Sequence, residues 1–436
     1  MDSFSELPHN NKAFWEKVKE RLKIIPNNIK ELNIIFFDGK CKFFDILEKT
    51  HKEESEEFFK VYQYLQNLAL NLEKELPAKI PILKKNTKAK YELTRRQVGL
   101  LFFLSFFNLI DLKQEKGLEF FRFIVFQTLC SLTETRFEFG RCFLNYLTII
   151  GKWLSENNII LDEKIKYIRD TNILDFNNLD KGIKLCDIKI YEKGSLFSGE
   201  SSYFVDFANQ YIGGGVLEGG CVQEEILFAI EPEAIVSMFF MEVMSNNDAI
   251  RIDNIIQYSN YSGYGFNFKF NGSAIDKNNI NKIKKNKIIA IDACIQETDY
   301  YGNIDKNEVK RDILKAFVGF NLVNFENESN EEKSIATGNW GCGAFGGDHE
   351  LKFFQQWIAA SFAGIERLDY YTFGENEMDY IAKKVNEIKL KYKEAFKLYE
   401  QLINNKLMSG KVARIINKGN FDENEYEGED FSCLNI

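Results

Sequence analysis

Proline is scarce in this chain, five in 436 residues, which excludes long polyproline linkers. Histidine is scarcer, at three (His9, His51 and His349). The eight cysteines (Cys41, Cys130, Cys142, Cys186, Cys221, Cys294, Cys342 and Cys433) contain no CxxC pair. Zinc-ligand spacing is therefore absent, and neither a metal nor another cofactor is expected. The start, Met1-Asp2-Ser3-Phe4, lacks a basic segment followed by an apolar one, so no signal peptide is expected. Reduced thiols inside the cell fit this cysteine pattern, and an intracellular location, nucleus and/or cytoplasm, is expected. The most hydrophobic run, Val98–Ile110, is 13 residues long with Ser105 and Asn108 inside it. It is too short to span a bilayer and reads as a buried helix, so no membrane partner is expected. The formal charge is -9 with Lys and Arg mixed among the acids. That offers no general basic field, and direct nucleic-acid binding is not expected.

What is present is a large apolar fraction, 45%, with 40 phenylalanines against 4 tryptophans. The length allows two or three domains. The first ~175 residues read as helical. Phe58, Val61, Tyr62, Leu65, Leu68, Ala69 and Leu72 recur at three and four, and Pro77 and Pro81 end that pattern. Thr94 with Gln97 forms a capping box ahead of the apolar run. Further helices are expected over Leu118–Leu132 and Glu138–Leu154. The period then changes. Lys184–Tyr191, Ser202–Phe207, Ala249–Ile256, Lys287–Asp292, Ser334–Thr337 and Arg367–Phe373 read as strands. Between them, helices are expected from Pro232 to Met244 and from a cap at Asp348 through Phe362. One long helix is expected to carry Met378, Ile381, Val385, Ile388, Tyr392, Ala395, Tyr399 and Leu402. Strands alternating with helices imply a three-layer α/β/α domain. The expected division is a helical accessory domain at 1–175, an α/β domain at 176–417 and an acidic, disordered tail at 418–436.

The chemistry concentrates in four clusters. Asp206-Phe207-Ala208-Asn209 ends a strand. Gly213-Gly214-Gly215 is followed, after seven intervening residues, by Gln223-Glu224-Glu225. Three glycines let the backbone reach positive φ and approach a ligand closely. The two acids differ by about 100° around a helix, so they cannot aim at one atom and should divide roles, one as acid/base and one gripping hydroxyls. Taken alone, this segment also fits a glycine turn before a helix whose first turn carries acids. Tyr258–Gly265 is rich in Tyr, Ser and Gly. Gly338–Asp348 follows a strand and precedes a helix, a setting in which backbone N–H groups favour a phosphate or diphosphate. It is neither a Walker loop nor a GxGxxG turn. Together the clusters suggest a nucleotide-diphosphate site with carboxylates for a sugar.

These four blocks, in this order, resemble the signature of the poly(ADP-ribose) glycohydrolase family. The likeness covers roughly residues 90 to 375, with the helical part similar to that family's accessory domain. The resemblance implies a macrodomain-like mixed sheet that binds ADP-ribose and hydrolyses ribose–ribose O-glycosidic bonds in poly(ADP-ribose). By motif position it implies Glu225 as general acid then base, Glu224 as the hydroxyl-binding neighbour, and Asp206 and Asn209 as supports for the loop and the ribose. Gly213, Gly214, Gly215 and Gln223 belong to the same binding segment. Tyr264 would cover adenine. Gly341, Gly343, Ala344, Phe345 and Gly346 would hold the diphosphate and terminal ribose. The implied partners are poly(ADP-ribose), ADP-ribose and poly(ADP-ribosyl)ated proteins, and a monomer is expected. Where relatives carry an acidic residue near the adenine, this chain has Phe197, which cannot make that polar contact.

Rival readings fare less well. Cys342 as a nucleophile lacks a neighbouring histidine. Asp348-His349-Glu350 as a metal triplet would need adjacent side chains to converge, and a cap is the simpler role. A macrodomain that binds ADP-ribose without cleaving it remains the alternative function, although such a reader does not need both glutamates.

Overall fold

A computed structural model describes residues 4–110, 132–194, 196–276, 283–299, 302–325 and 332–418. The chain forms two compact units, one of 1–172 with 203–292 and one of 173–202 with 293–436. Apart from Leu132 and Lys418, the expected helix at Leu118–Leu132 and the expected tail lie outside the described residues.

The first unit begins with helices Lys12–Leu22, Ile29–Phe37, Lys42–Thr50 and Lys52–Leu70. The last of these buries the predicted three-and-four stripe through Phe58, Val61, Tyr62, Leu65 and Ala69. It packs on helix Glu134–Ser155 at Gly151, where an added Cβ would lie 2.7 Å from Val61 Cγ2, so only glycine permits this approach. Phenylalanines fill the space between helices: Phe107 meets both Phe36 and Phe103 at 4.8 Å between ring centres. The capping box forms as expected. Thr94 Oγ1 accepts from Gln97 N and the Gln97 side chain accepts from Thr94 N, which starts helix Arg95–Phe106. The segment read as helical also supplies strands Ala89–Thr94 and Lys164–Thr171. The first is only six residues long, and the second loses its alternation at Ile168, Arg169 and Asp170, which are buried in succession.

The sheet order in this unit is Ala89–Thr94, Lys164–Thr171, Asp248–Ile256, Lys285–Asp292, Tyr203–Ala208. The first three pairings are antiparallel and the last is parallel, a mixed sheet. Asp206 stands in register with Ala290. In the second unit, Ser334–Gly338, Arg367–Tyr371 and Asp187–Tyr191 pair in parallel, with helices Lys306–Asn321 and His349–Phe362.

Two expected helices differ. From Pro232 onward the chain makes turns and a 3-10 helix, Ile235–Phe239, held by N–H bonds to the third carbonyl back. Glu233 and Ser237 are fully buried there, and Glu233 takes bonds from Arg95, Ile256 and Tyr258. Satisfying that carboxylate fixes the path against a regular helix. The long C-terminal stripe is divided into Asp379–Tyr392 and Ala395–Asn404, because Lys393 turns the chain at φ 59. Among the described residues no helix is long and apolar enough to cross a membrane.

Candidate active site

Helix Gln223–Ile230 begins where strand Tyr203–Ala208 ends, and the side chain at its first position joins the two. Gln223 Oε1 accepts from Phe207 N at 2.8 Å, and Nε2 donates to Val205 O at 3.1 Å. The amide thus binds the strand edge as an adjoining strand would. The helix start is thereby clipped to the backbone on either side of Asp206.

The two glutamates then diverge, as one helical step requires. Glu224 Oε1 accepts from Gly213 N at 2.6 Å and Oε2 from Asn209 N at 2.8 Å. Glu225 Oε1 accepts from Gly215 N, and Oε2 reaches back to Val222 N, both at 2.8 Å. Val222 N is a donor at the helix start that no helical backbone carbonyl can satisfy, and the Glu225 side chain accepts from it much as a capping-box acid does. Asn209 Oδ1 in turn accepts from Tyr211 N at 3.0 Å and starts the glycine turn.

The glycines are required by contact as well as conformation. Gly213 and Gly214 have φ of 91 and 49. A Cβ on Gly214 would lie 2.5 Å from Glu224 Oε2 and 2.6 Å from Glu225 Oε1. A Cβ on Gly213 would meet Met238 Sδ at 2.6 Å. The backbone therefore lies directly on both carboxylates.

Three buried carboxyls share this corner. Asp206 is fully buried, and neither carboxylate oxygen has a hydrogen-bond partner among the described residues. Burial, then the charge of Glu225, pushes its carboxyl well above the ordinary range. Burial also raises Glu224, reinforced by Asp206 and Glu225. The two N–H bonds to Glu224 act the other way, and burial outweighs them. The site can thus hold protons that exposed carboxylates would release. Cys221 beside it is pushed up to about 12 by burial and by Glu225, which leaves it a poor nucleophile.

Tyr264 stands at the tip of the hairpin made by strands Ser259–Ser262 and Lys269–Ser273. Gly265 N donates to Cys221 O at 3.0 Å, which ties this tip to the helix start. Burial and then Glu225 raise the Tyr264 phenol, although the residue keeps 58% of its surface exposed. An exposed ring held beside a carboxylate is suited to cover a planar ligand. Tyr261 is turned to the hairpin itself, stacked on Phe268 at 5.6 Å.

The first unit therefore brings together Asp206, Asn209, Gly213–Gly215, Gln223, Glu224, Glu225 and Tyr264. The loop with Gly341, Gly343, Ala344, Phe345 and Gly346 belongs to the second unit. It joins strand Ser334–Gly338 to helix His349–Phe362, whose N-cap Asp348 accepts from Leu351 N at 2.7 Å. Gly341 and Gly346 have φ of 76 and 66, and an added Cβ on Gly343 or Gly346 would meet nothing within 4 Å. Beneath the loop lies the buried ion pair Lys352–Asp312, with the ammonium 5.0 Å from the Trp340 ring centre. Phe345 O accepts from Gln296 N at 3.0 Å. Burial raises the Cys342 thiol, which disfavours the thiolate a nucleophile would need. Asp348, His349 and Glu350 point to separate partners, Leu351 N, Glu377 and Ala413 N. Among the described residues no group of three or more His, Cys, Asp or Glu could hold a metal ion.

Residues 176–380 match the sequence model described as poly(ADP-ribose) glycohydrolase, macro domain fold, and residues 50–167 match its helical domain. The chain belongs to the poly(ADP-ribose) glycohydrolase family. The helical domain precedes the macro domain along the chain, and a mixed sheet with flanking helices is the fold expected from the strand and helix pattern. A probable poly(ADP-ribose) glycohydrolase 2 of Arabidopsis thaliana is 28% identical over 445 residues, covering 87% of this chain and 84% of that protein. Poly(ADP-ribose) glycohydrolase 1 of the same plant is 30% identical, covering 65% of this chain and 63% of its own length. Poly(ADP-ribose) glycohydrolase 1 of Caenorhabditis elegans is 37% identical over 197 residues, which are 42% of this chain and 24% of that protein. Among solved structures, poly(ADP-ribose) glycohydrolase from Thermomonospora curvata aligns over 45% of this chain and 73% of its own at 14% identity, with a TM-score of 0.30.

The sequence motifs singled out the glutamates and glycines. They do not reveal Val222 N or Met238, which matter through backbone and packing. Nor do they reveal Arg136, whose guanidinium donates to Glu218 O within the glycine segment. No local pattern marks an arginine 82 residues away from its acceptor.

Proposed function

We propose that this chain hydrolyses the ribose–ribose O-glycosidic bonds of poly(ADP-ribose) and releases ADP-ribose, with Glu225 as the catalytic acid and base. The observation that carries the reading is the Gly214 backbone pressed against both Glu224 and Glu225. A sugar ring lying on that side-chain-free loop would come within reach of both carboxyls. Glu225 as carboxylic acid gives its proton to the departing ribose 2′-oxygen while the anomeric C–O bond breaks. The electron pair of that bond leaves with the oxygen, and positive charge develops on the ring as in an oxocarbenium ion. Water then adds to the anomeric carbon, and the Glu225 carboxylate accepts its proton. The substrate's own diphosphate helps offset the developing charge.

Glu224, fixed by two backbone donors, accepts from ribose hydroxyls. Asp206 supports the carboxylate corner, and Gln223 and Asn209 hold the loop in place. Tyr264 covers the adenine. The Gly341–Gly346 loop, at the start of a fourteen-residue helix, offers N–H groups suited to a diphosphate. Substrates on modified proteins, a monomeric state and an intracellular location belong to the same reading.

The test is incubation of labelled poly(ADP-ribose) with the protein and with Glu225→Gln. Free ADP-ribose from the native protein alone is expected, with the variant at least about a hundredfold slower. Intact polymer bound tightly by both forms would instead establish a binding module. Product at native rates from Glu225→Gln would show that another group serves as acid and base.

A further inference from the structure

One helix touches both the glycine loop and the aromatic hairpin. Along Glu134–Ser155, Arg136 donates to the Glu218 carbonyl oxygen. It also packs on Gly219, whose φ is 95 and whose added Cβ would lie 2.8 Å from Arg136 Nε. Further along, Glu138 Oε2 accepts from Phe270 N at 2.9 Å, and the Arg141 guanidinium lies 4.9 Å from the Phe270 ring centre. Phe139 meets Phe268 edge-on at 4.9 Å. Asn145 Nδ2 donates to Tyr258 O at 2.9 Å and to Ser259 Oγ at 3.1 Å.

These anchors end close to the carboxylates. Gly215 O accepts from Glu218 N at 2.8 Å and from Gly220 N at 2.9 Å, and Gly215 N is the donor to Glu225. The arginine therefore grips the far side of a closed turn whose near side holds Glu225. A segment with glycines at 213, 214, 215, 219 and 220 has little intrinsic rigidity, since each has wide backbone freedom to lose. It needs an outside tie to keep one geometry. A guanidinium supplies a planar donor that an apolar or shorter side chain does not.

We propose that Arg136 is a positioning residue for Glu225, and that helix Glu134–Ser155 is a working part of the active site. It acts by fixing the Gly213–Gly220 turn and, through Gly215 N, the carboxylate. This rests on the reading of Glu225 as the acid and base, and a second readout separates the two claims.

The full chain is compared with Arg136→Met, Arg136→Lys and Arg136→Ala by turnover of poly(ADP-ribose) and by amide hydrogen exchange. In Arg136→Met, kcat is expected to fall about tenfold to a hundredfold at near-constant KM, the effect of a misplaced catalytic group. Peptides covering 213–222 should exchange faster while peptides covering 268–273 keep the native rate. Arg136→Lys should fall between, and guanidinium ion added at low millimolar concentration should restore part of the Arg136→Ala turnover. Native turnover with native exchange at 213–222 in Arg136→Met overturns the proposal. So does faster exchange spread evenly over the whole chain, which marks a general structural role. If the native protein releases no ADP-ribose, the functional reading fails, and the exchange at 213–222 still decides the role of Arg136.

Discussion

At Gly214 the needs of backbone and chemistry coincide. Its φ of 49 suits glycine, and any side chain would displace both glutamates. Gly214→Ala is expected to lower stability by about 1–3 kcal/mol through strain. It should lower turnover at least about tenfold, because both carboxylates must move. Denaturant titration and ADP-ribose release check the two effects separately. Glu231 provides a pH signature away from the site. It is fully buried, with Asn286 Nδ2 donating to Oε1 at 2.6 Å, and burial pushes its carboxyl up to about 8. The folded state therefore keeps a proton that the unfolded chain releases above the ordinary value of 4.5. Its stabilising contribution is complete below that value and is lost as pH rises toward about 8. The difference between native and Glu231→Gln unfolding free energies should change by about 1.4 kcal/mol per pH unit in that window. A difference independent of pH would contradict the assignment.

At the scale of elements, polar residues decide where apolar patterns stop. The stripe from Met378 to Leu402 reads as one helix because its spacing continues unbroken, yet Lys393 interrupts it. Lys393 O accepts from Leu185 N at 2.9 Å, and Ala395 N donates to Ile183 O at the same distance. The interruption thus serves strand-like contacts with 183–185 that no helix would make. Lys393→Gly should relieve the positive φ and stabilise by about 0.5–1 kcal/mol, seen as a rise in melting temperature of a few degrees at most. No gain, or a loss, would show that the lysine conformation carries little strain. The Pro232–Met244 segment shows the same logic: buried Glu233 needs donors, and the chain bends to bring it to Arg95, Ile256 N and the Tyr258 hydroxyl.

On the molecular scale, Arg95 ties the helical segment to the sheet of the first unit. Its Nε lies 2.7 Å from Glu233 Oε1, its Nη1 3.1 Å from Glu163 Oε2, and Nη2 donates to Asn254 O at 2.5 Å. Arg95 and Glu233 are both fully buried, so removing one partner strands the other charge. Arg95→Met should cost about 3–5 kcal/mol by chemical denaturation. Adding Glu233→Gln should recover part of the loss, because it removes the stranded carboxylate. Additive losses would contradict this coupling.

The residues alone determined much of this molecule. The period change from three-and-four to alternation placed most strands and helices, since burial of one face writes itself into local spacing. The order of Asp206, Gly213–Gly215, Gln223–Glu225, Tyr261–Tyr264 and Gly341–Asp348 was enough to point to the family. Strands Ala89–Thr94 and Lys164–Thr171 were less legible, because the first is short and the second buries Ile168, Arg169 and Asp170 in succession, which breaks the alternation. Tertiary structure alone decided which N–H groups hold each glutamate, that Asp206 is buried without a partner among the described residues, and that Gln223 clips strand to helix. It alone placed Arg136 on the glycine turn. Those contacts join residues distant in sequence, and their energies depend on burial and on angstrom-scale approach, which local spacing does not encode.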